Sequence, residues 1–252
     1  MSFLVAADAY DRFMGRFSVP LAARFAERAG VRAGMRVLDV GCGPGALTAE
    51  LVARLGPEAV HAVEPSPPFV EAVRARLPGV DVRAASAEDL PFDDDAVDAA
   101  LAQLVVHFMT DPVRGLREMA RVTRPGGVVA ACVWDHAGGG SPLSTFWAAV
   151  HDLTPGARDE SGLAGARAGH LAELLAAAGL HDVEPTSLGV TVPFASFEAW
   201  WEPFTLGVGP AGAHVASLDE DGRTALRDRC AALLPAAPFE VTAAAWCAVG
   251  RV

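Results

Sequence analysis

A glycine-rich turn between two acidic residues is the feature of this chain that most directly suggests chemistry. Its glycines occupy alternate positions, Gly41, Gly43 and Gly45. Asp39 stands just before the turn, and Glu64 follows the next apolar run, 59–63. Small residues let backbone N–H groups and a helix N-terminus approach a ligand closely, and a carboxylate at the end of the following strand can accept hydrogen bonds from both hydroxyls of a ribose. The pattern therefore indicates a nucleotide-binding unit.

The spacing of the glycines limits which kind of nucleotide the turn could bind. A dinucleotide-binding turn reads Gly-x-Gly-x-x-Gly, whereas here the third glycine comes one residue earlier. Asp39 would also face a bound pyrophosphate, and repulsion between like charges disfavours that arrangement. A ligand with a cationic sulfonium and an amino group suits the carboxylate better. The structural alternative is an α/β domain whose glycines serve only packing.

The run Asp39-Val-Gly-Cys-Gly-Pro-Gly, followed by Glu64, resembles the class I S-adenosylmethionine-dependent methyltransferases, in particular the small-molecule enzymes of the type 11 kind. The resemblance covers residues 35–135 well, the N-terminal segment moderately and residues 138–235 hardly at all. It implies S-adenosylmethionine as the cofactor and transfer of its methyl group as the reaction.

The resemblance also implies which residues contact the cofactor. They are Tyr10, Arg16, Asp39, Gly41, Cys42, Gly43, Gly45, Glu64, Pro65, Ser86, Ala87, Glu88, Gln103 and Leu104. Arg16 would pair with the cofactor's carboxylate, although the N-terminal arginines could equally form a solvated helix face. Ser86 stands where the family usually carries an acid, so its hydrogen bond to the adenine amine would be weaker.

His107 is the titratable side chain best placed to remove a proton from the methyl acceptor. It follows the fourth predicted strand, at the edge where open α/β sheets bind ligands. The structural alternative is a histidine that caps the next helix or fills a polar gap. Asp135 and His136, beside Trp134 at the exit of the fifth strand, are weaker candidates, and their structural alternative is a loop turn.

Alternating strands and helices must position these residues. Apolar runs predict seven strands, at 37–40, 59–63, 80–85, 96–104, 128–134, 188–194 and 239–249. Helical patterns with proline starts or glycine stops separate most of them. The sequence therefore predicts an α/β fold, a doubly wound, mostly parallel, seven-stranded Rossmann-like sheet with a helical insertion or cap and an antiparallel last strand.

Four regions follow from this pattern. Residues 1–34 are predicted as N-terminal lid helices, 35–137 as the cofactor-binding core, 138–235 as a partly helical cap interleaved with a strand at 188–194, and 236–252 as the last strand. The aromatic residues of the third region are Phe146, Trp147, Trp200 and Trp201. They form either core packing or an apolar acceptor pocket.

Composition limits the possible partners and compartment. The formal charge of the 252 residues is 20 − 31 = −11, which argues against tight binding of nucleic acid. The cysteines are Cys42, Cys132, Cys230 and Cys247, and the absence of a Cys-x-x-Cys pair favours free thiols in a reducing cytosol. The seven histidines lack metal-ligand spacing, so no metal site is predicted. With no long apolar run or basic leader, the expectation is a soluble, cytoplasmic monomer or homodimer.

The sequence thus favours a methyltransferase acting on an oxygen, nitrogen or carbon of a small, largely apolar molecule. The Asn-Pro-Pro-Tyr run that marks many enzymes methylating amines of nucleic acids or amides of proteins is missing after the fourth strand. The alternatives are an RNA or protein methyltransferase, an S-adenosylmethionine-binding protein without catalysis, and, more distantly, a nicotinamide-dependent oxidoreductase.

Overall fold

The computed structural model describes residues 7–252, which contain one seven-stranded sheet. The strands are β1 (Val37–Val40), β2 (Val60–Val63), β3 (Asp81–Arg83), β4 (Val97–Gln103), β5 (Thr123–Trp134), β6 (His181–Phe194) and β7 (Phe239–Arg251). Their order is β3-β2-β1-β4-β5-β7-β6, with β7 antiparallel to both of its neighbours and the other pairs parallel. The predicted fold class is confirmed, with a mixed sheet because β7 runs antiparallel to β5 and β6.

Ten α-helices accompany the sheet in the described chain. They are α1 (Ala7–Tyr10), α2 (Arg16–Arg28), α3 (Ala46–Leu55), α4 (Pro67–Arg76), α5 (Pro112–Val122), α6 (Ser144–Leu153), α7 (His170–Ala177), α8 (Phe197–Trp201), α9 (Gly209–Ser217) and α10 (Glu220–Leu233). A π-helical turn, Asp11–Gly15, joins α1 to α2. In the described chain, none of the helices has both the length and the apolar character needed to cross a membrane.

The central strands are buried on both faces, which explains their continuous apolar sequence. All four residues of β1 are buried, including Asp39. One face packs against α2 through Leu21 and Phe25, which have no exposed surface, and the other against α5 through Leu116 and Met119. The strand order reverses between β1 and β4, so a crevice opens at the carboxyl ends of these two strands.

β6 is longer than the predicted strand at 188–194. It pairs with β7 from His181 to Phe194, with an irregularity before Glu184. Buried and exposed residues alternate only from Val190 onward, because this edge strand is largely exposed over its first half. Hydrophobic alternation therefore marks only the second half of the strand in the sequence.

Candidate active site

A cavity of about 300 Å³ lies in the crevice beyond the carboxyl ends of β1, β2 and β4. The predicted cofactor residues that line it are Tyr10, Asp39, Gly41, Cys42, Gly43, Glu64, Pro65, Ser86, Ala87, Glu88, Gln103 and Leu104. Further lining residues were not predicted, among them Ser18, Phe69, Val105, Phe108, Met109 and Thr110. Four of these follow β4, at the sheet edge where ligands bind, whereas tertiary packing alone brings Ser18 and Phe69 to the cavity.

The glycine turn leaves no room for a side chain at its first position. Gly41 has a φ of 70°, and a Cβ atom there would lie 2.5 Å from a methyl group of Val105. Gly45 does not line the cavity, although its φ of 102° starts α3 in the left-handed conformation. The third glycine of the turn therefore shapes the approach of α3 rather than the wall of the cavity.

Glu64 connects the turn to the end of β2. Its carboxylate accepts hydrogen bonds of 2.9 Å from the backbone N–H of Gly43 and from that of Ser66. Burial raises the pKa of Glu64, and these two hydrogen bonds partly oppose the shift. A carboxylate offers about four acceptor sites, so two remain for the hydroxyls of a ligand.

Asp39 places a buried acid at the other side of the turn. Its side chain accepts a hydrogen bond of 2.7 Å from the Thr48 hydroxyl on α3. Burial raises the pKa of Asp39 to about 7, and the nearby charge of Glu64 acts in the same direction. A cation bound next to Asp39 would lower that pKa again and would itself gain a charged partner.

Gln103 offers the cavity an unused acceptor. Its amide nitrogen donates to the backbone carbonyl of Ser18 on α2, at 3.0 Å, and its Oε1 is buried without a hydrogen-bond partner in the described chain. The next residue, Leu104, has a φ of 61°, which a branched side chain rarely adopts. This strained backbone carries the chain from β4 along the wall of the cavity.

The segment after β3 forms another wall. Its predicted residues Ser86, Ala87 and Glu88 all line the cavity. Glu88 accepts hydrogen bonds from the backbone N–H groups of Thr110, at 2.8 Å, and Asp111, at 3.3 Å. The Glu88 side chain thus holds the loop before α5 in place.

Arg16 does not line the cavity, in contrast to the sequence-based prediction. Its guanidinium donates to the carbonyl of Ala199, at 3.0 Å, and lies 5.0 Å from the ring centre of Phe194. These contacts direct the side chain toward the cap and β6. Tyr10, by contrast, lines the cavity and packs edge-on against Phe69, with the ring centres 5.6 Å apart.

His107 lies in a smaller cavity of about 30 Å³ beside the first one. Tyr10, Leu104 and Phe108 line both cavities, so the two are neighbours. Burial lowers the pKa of His107 to about 3, and its Nδ1 has no hydrogen-bond partner in the described chain. The imidazole is therefore uncharged near neutral pH and placed beside the larger cavity.

The cap aromatics form core packing. None of the four residues considered, Phe146, Trp147, Trp200 and Trp201, lines either of these two cavities, and all are buried. Phe146 stacks on Phe204 with ring centres 4.7 Å apart. Residues 7–252 hold no cluster of metal-ligating side chains, and their four cysteines are buried and unpaired.

Comparisons with known proteins agree with this geometry. Residues 38–131 match the family model described as a methyltransferase domain. An uncharacterised methyltransferase of Mycobacterium tuberculosis is 42% identical over 135 residues, which cover 54% of this chain and 52% of that protein. A 2-methyl-6-phytyl-1,4-hydroquinone methyltransferase of rice, Oryza sativa subsp. japonica, is 39% identical over 115 residues, covering 45% of this chain and 31% of that protein.

The fold is shared with solved structures. A putative methyltransferase from an antibiotic biosynthesis pathway of Anabaena variabilis superimposes with a TM-score of 0.60 at 16% identity, over 93% of this chain and 97% of that one. The matched region spans about half the length of these curated relatives, or less. The similarity to a methyltransferase domain is therefore carried by residues 38–131.

Proposed function

We propose that the protein is an S-adenosylmethionine-dependent methyltransferase that acts on an oxygen, nitrogen or carbon of a small, largely apolar molecule. The observation that carries the proposal is the cavity of about 300 Å³ with the Asp39 and Glu64 carboxylates in its wall. When bound, the cofactor supplies a methyl group activated by a sulfonium.

The donor and acceptor groups of the cavity fit this cofactor. Glu64 keeps acceptor sites for the ribose hydroxyls, and Asp39 suits the positive charge of the amino group or the sulfonium. The orphaned Oε1 of Gln103 would accept a hydrogen bond from the amino group. Ser86, with the backbone of Ala87 and Glu88, would contact the adenine.

The chain's own contribution to the reaction is binding, orientation and exclusion of water. Tyr10 and Ser18 bring the N-terminal helices over the cavity, where a dry site favours a transition state with dispersed charge. Holding acceptor, methyl and sulfur in line can supply much of the rate acceleration. His107, uncharged and beside the larger cavity, is our candidate for accepting a proton.

A small acceptor is supported by charge and by the names of relatives. The formal charge of −11 disfavours a nucleic acid substrate. One relative is named for a hydroquinone, and another, from Clavibacter sepedonicus, is named demethylmenaquinone methyltransferase, with 40% identity over 103 residues. We further propose a cytoplasmic location, which the unpaired cysteines support.

Calorimetry and a transfer assay test the proposal. S-Adenosylmethionine and S-adenosylhomocysteine should bind with one-to-one stoichiometry, and NAD should not compete with them. Radiolabelled methyl groups should pass to a member of a panel of small phenols, amines and quinols, but not to RNA. Absence of binding would refute the proposal, binding without transfer to anything would indicate a sensor, and labelling of RNA or protein would indicate a macromolecular substrate.

A further inference from the structure

Two imidazoles with unsatisfied nitrogens share the smaller cavity. Five buried side-chain nitrogen or oxygen atoms of the described chain lack a hydrogen-bond partner, and three of them belong to His107 and His136. These atoms are Nδ1 of His107 and both ring nitrogens of His136. The ring centres are 5.9 Å apart. Buried polar atoms are nearly always paired, so such a concentration indicates a missing partner.

The cavity is otherwise lined mainly by apolar side chains, together with one acid. Phe13, Met14 and Trp134 are among the apolar lining residues, and Glu160 contributes a buried carboxyl that accepts a hydrogen bond of 2.8 Å from Trp147. Both imidazoles are uncharged near neutral pH, because burial lowers the pKa of His136 to about 4 as it lowers that of His107. A neutral ligand is therefore favoured, and an anion would meet the acid without a buried cation to offset it.

A hydroxyl group matches a pair of neutral imidazoles. Each neutral ring has one nitrogen that donates and one that accepts, and a hydroxyl can both donate and accept. Building on the proposed function, we infer that His107 and His136 bind the hydroxyl of the methyl acceptor, and that the acceptor is an uncharged molecule whose apolar ring lies against Phe13, Met14 and Trp134. The shared wall residues Leu104 and Phe108 then place that hydroxyl beside the cofactor cavity.

The closed cavity is too small for a ring. Its volume of about 30 Å³ corresponds to one or two water molecules. Part of its wall comes from two segments distant in sequence, residues 10–14 and 208–211. Gly207 and Gly209, both with positive φ, flank Val208 in the second segment. Entry of a ring therefore requires part of this wall to move aside.

Equilibrium dialysis with matched probes tests this inference. Protein saturated with S-adenosylhomocysteine is dialysed against 1-naphthol, naphthalene or 1-naphthoate. We expect 1-naphthol to bind at least tenfold more tightly than naphthalene, because only the naphthol satisfies the buried nitrogens, and we expect no saturable binding of 1-naphthoate. In His107→Leu and His136→Leu the preference for naphthol should disappear, whereas His181→Leu, which replaces an exposed histidine, should keep it.

Thermal unfolding separates ligand binding from a structural role. Leucine has nearly the volume of histidine and no unsatisfied nitrogen, so the melting temperatures of His107→Leu and His136→Leu should equal or exceed that of the parent. Lowered melting temperatures would instead show that the imidazoles support the fold and would overturn the inference. Equal binding of naphthol and naphthalene, binding of 1-naphthoate, or no binding of any probe would overturn it as well.

Failure of the proposed function would be visible separately. Calorimetry on the same samples reports whether S-adenosylhomocysteine binds at all, which is the test of the cofactor assignment. Dialysis is repeated without S-adenosylhomocysteine, so the preference for naphthol is measured even when the cofactor assignment fails. Loss of the preference alone, with S-adenosylhomocysteine bound, refutes the role of the two histidines and leaves the cofactor site unaffected.

Discussion

The backbone N–H of Gly43 donates a hydrogen bond of 2.9 Å to the carboxylate of Glu64, which lies 21 positions later in the chain. The second oxygen of that carboxylate accepts from the N–H of Ser66. The glycine turn and the acidic residue that follows β2 are therefore joined directly by a hydrogen bond. In the proposed complex, the residue that holds the ribose would also hold the turn.

Glu64→Gln should weaken cofactor binding. The substituted amide keeps one oxygen acceptor, and its NH₂ group would face the N–H of Gly43 or Ser66. We expect the affinity for S-adenosylhomocysteine to fall by about 10- to 100-fold, which corresponds to about 1–3 kcal/mol. Calorimetry measures this loss. Glu71→Gln, which changes an exposed residue of α4, should bind like the parent, and an unchanged affinity in Glu64→Gln would contradict the proposed ribose contact.

Asp39 should make cofactor binding depend on pH. Its pKa is about 7 in the free protein, and a bound cation would lower it. Below pH 7, Asp39 must therefore lose its proton before it can pair with S-adenosylmethionine. The affinity should therefore decrease toward lower pH, by up to about tenfold per pH unit. In Asp39→Asn this decrease should vanish, whereas the exposed control Asp228→Asn should retain it. An affinity that is constant from about pH 5.5 to 8 in the parent would exclude a charge contact with Asp39.

Arg16→Ala should affect stability rather than cofactor binding. The substitution removes the hydrogen bond to the Ala199 carbonyl and the contact with the Phe194 ring. We expect a loss of about 1–2 kcal/mol in the free energy of unfolding, measured with urea, and an affinity for S-adenosylhomocysteine within about twofold of the parent. Arg24→Ala, at an exposed position of the same helix, should change neither quantity. A tenfold loss of affinity in Arg16→Ala would restore the carboxylate contact expected from the sequence.

Glu160 should make the unliganded protein less stable as the pH rises. Burial raises the pKa of this carboxyl to about 7, from 4.5, so the folded protein holds a proton that the unfolded chain releases. The contribution of this proton to the free energy of unfolding is fully present below pH 4.5 and is lost as the pH rises through 7. The variant Glu160→Gln avoids this loss. We therefore expect its free energy of unfolding to exceed that of the parent by about 2–3 kcal/mol at pH 8 and by much less at pH 5.

Urea unfolding at these two pH values measures the difference. The amide oxygen introduced by Glu160→Gln can still accept the hydrogen bond from Trp147, so the comparison isolates the charge. Glu240→Gln, at an exposed position of β7, should follow the parent at both pH values. A stability difference between Glu160→Gln and the parent that does not change with pH would show that the carboxyl is not protonated in the fold.

The sequence signals that succeeded are local ones. Short stretches of sequence contain the apolar runs of the buried strands and the glycine turn with its flanking acids. The burial of the strands and their parallel pairing follow from these stretches. The start of helix α5 is also signalled locally, because Asp111 accepts a hydrogen bond from the N–H of Arg114 and Pro112 occupies the first turn. Such interactions join residues a few positions apart and are therefore readable without a structure.

What the sequence could not provide is contact between distant segments. His107 is 29 positions from His136 and further still from Glu160, yet all three line one cavity. Arg16 has a carbonyl partner, Ala199, 183 positions away. Neither the family resemblance nor periodicity contains information about such pairs, because tertiary packing determines which distant side chains come into contact.

The edge of the sheet formed by β6 has a consequence for association between molecules. One side of β6 pairs with β7, and no other strand of residues 7–252 pairs with it. Pro185 and Pro193 interrupt its row of N–H donors, while Asp182 and Glu184 place charge near its beginning. An edge of this kind resists the addition of a strand from a second molecule, so self-association at high concentration should not proceed by extending the sheet.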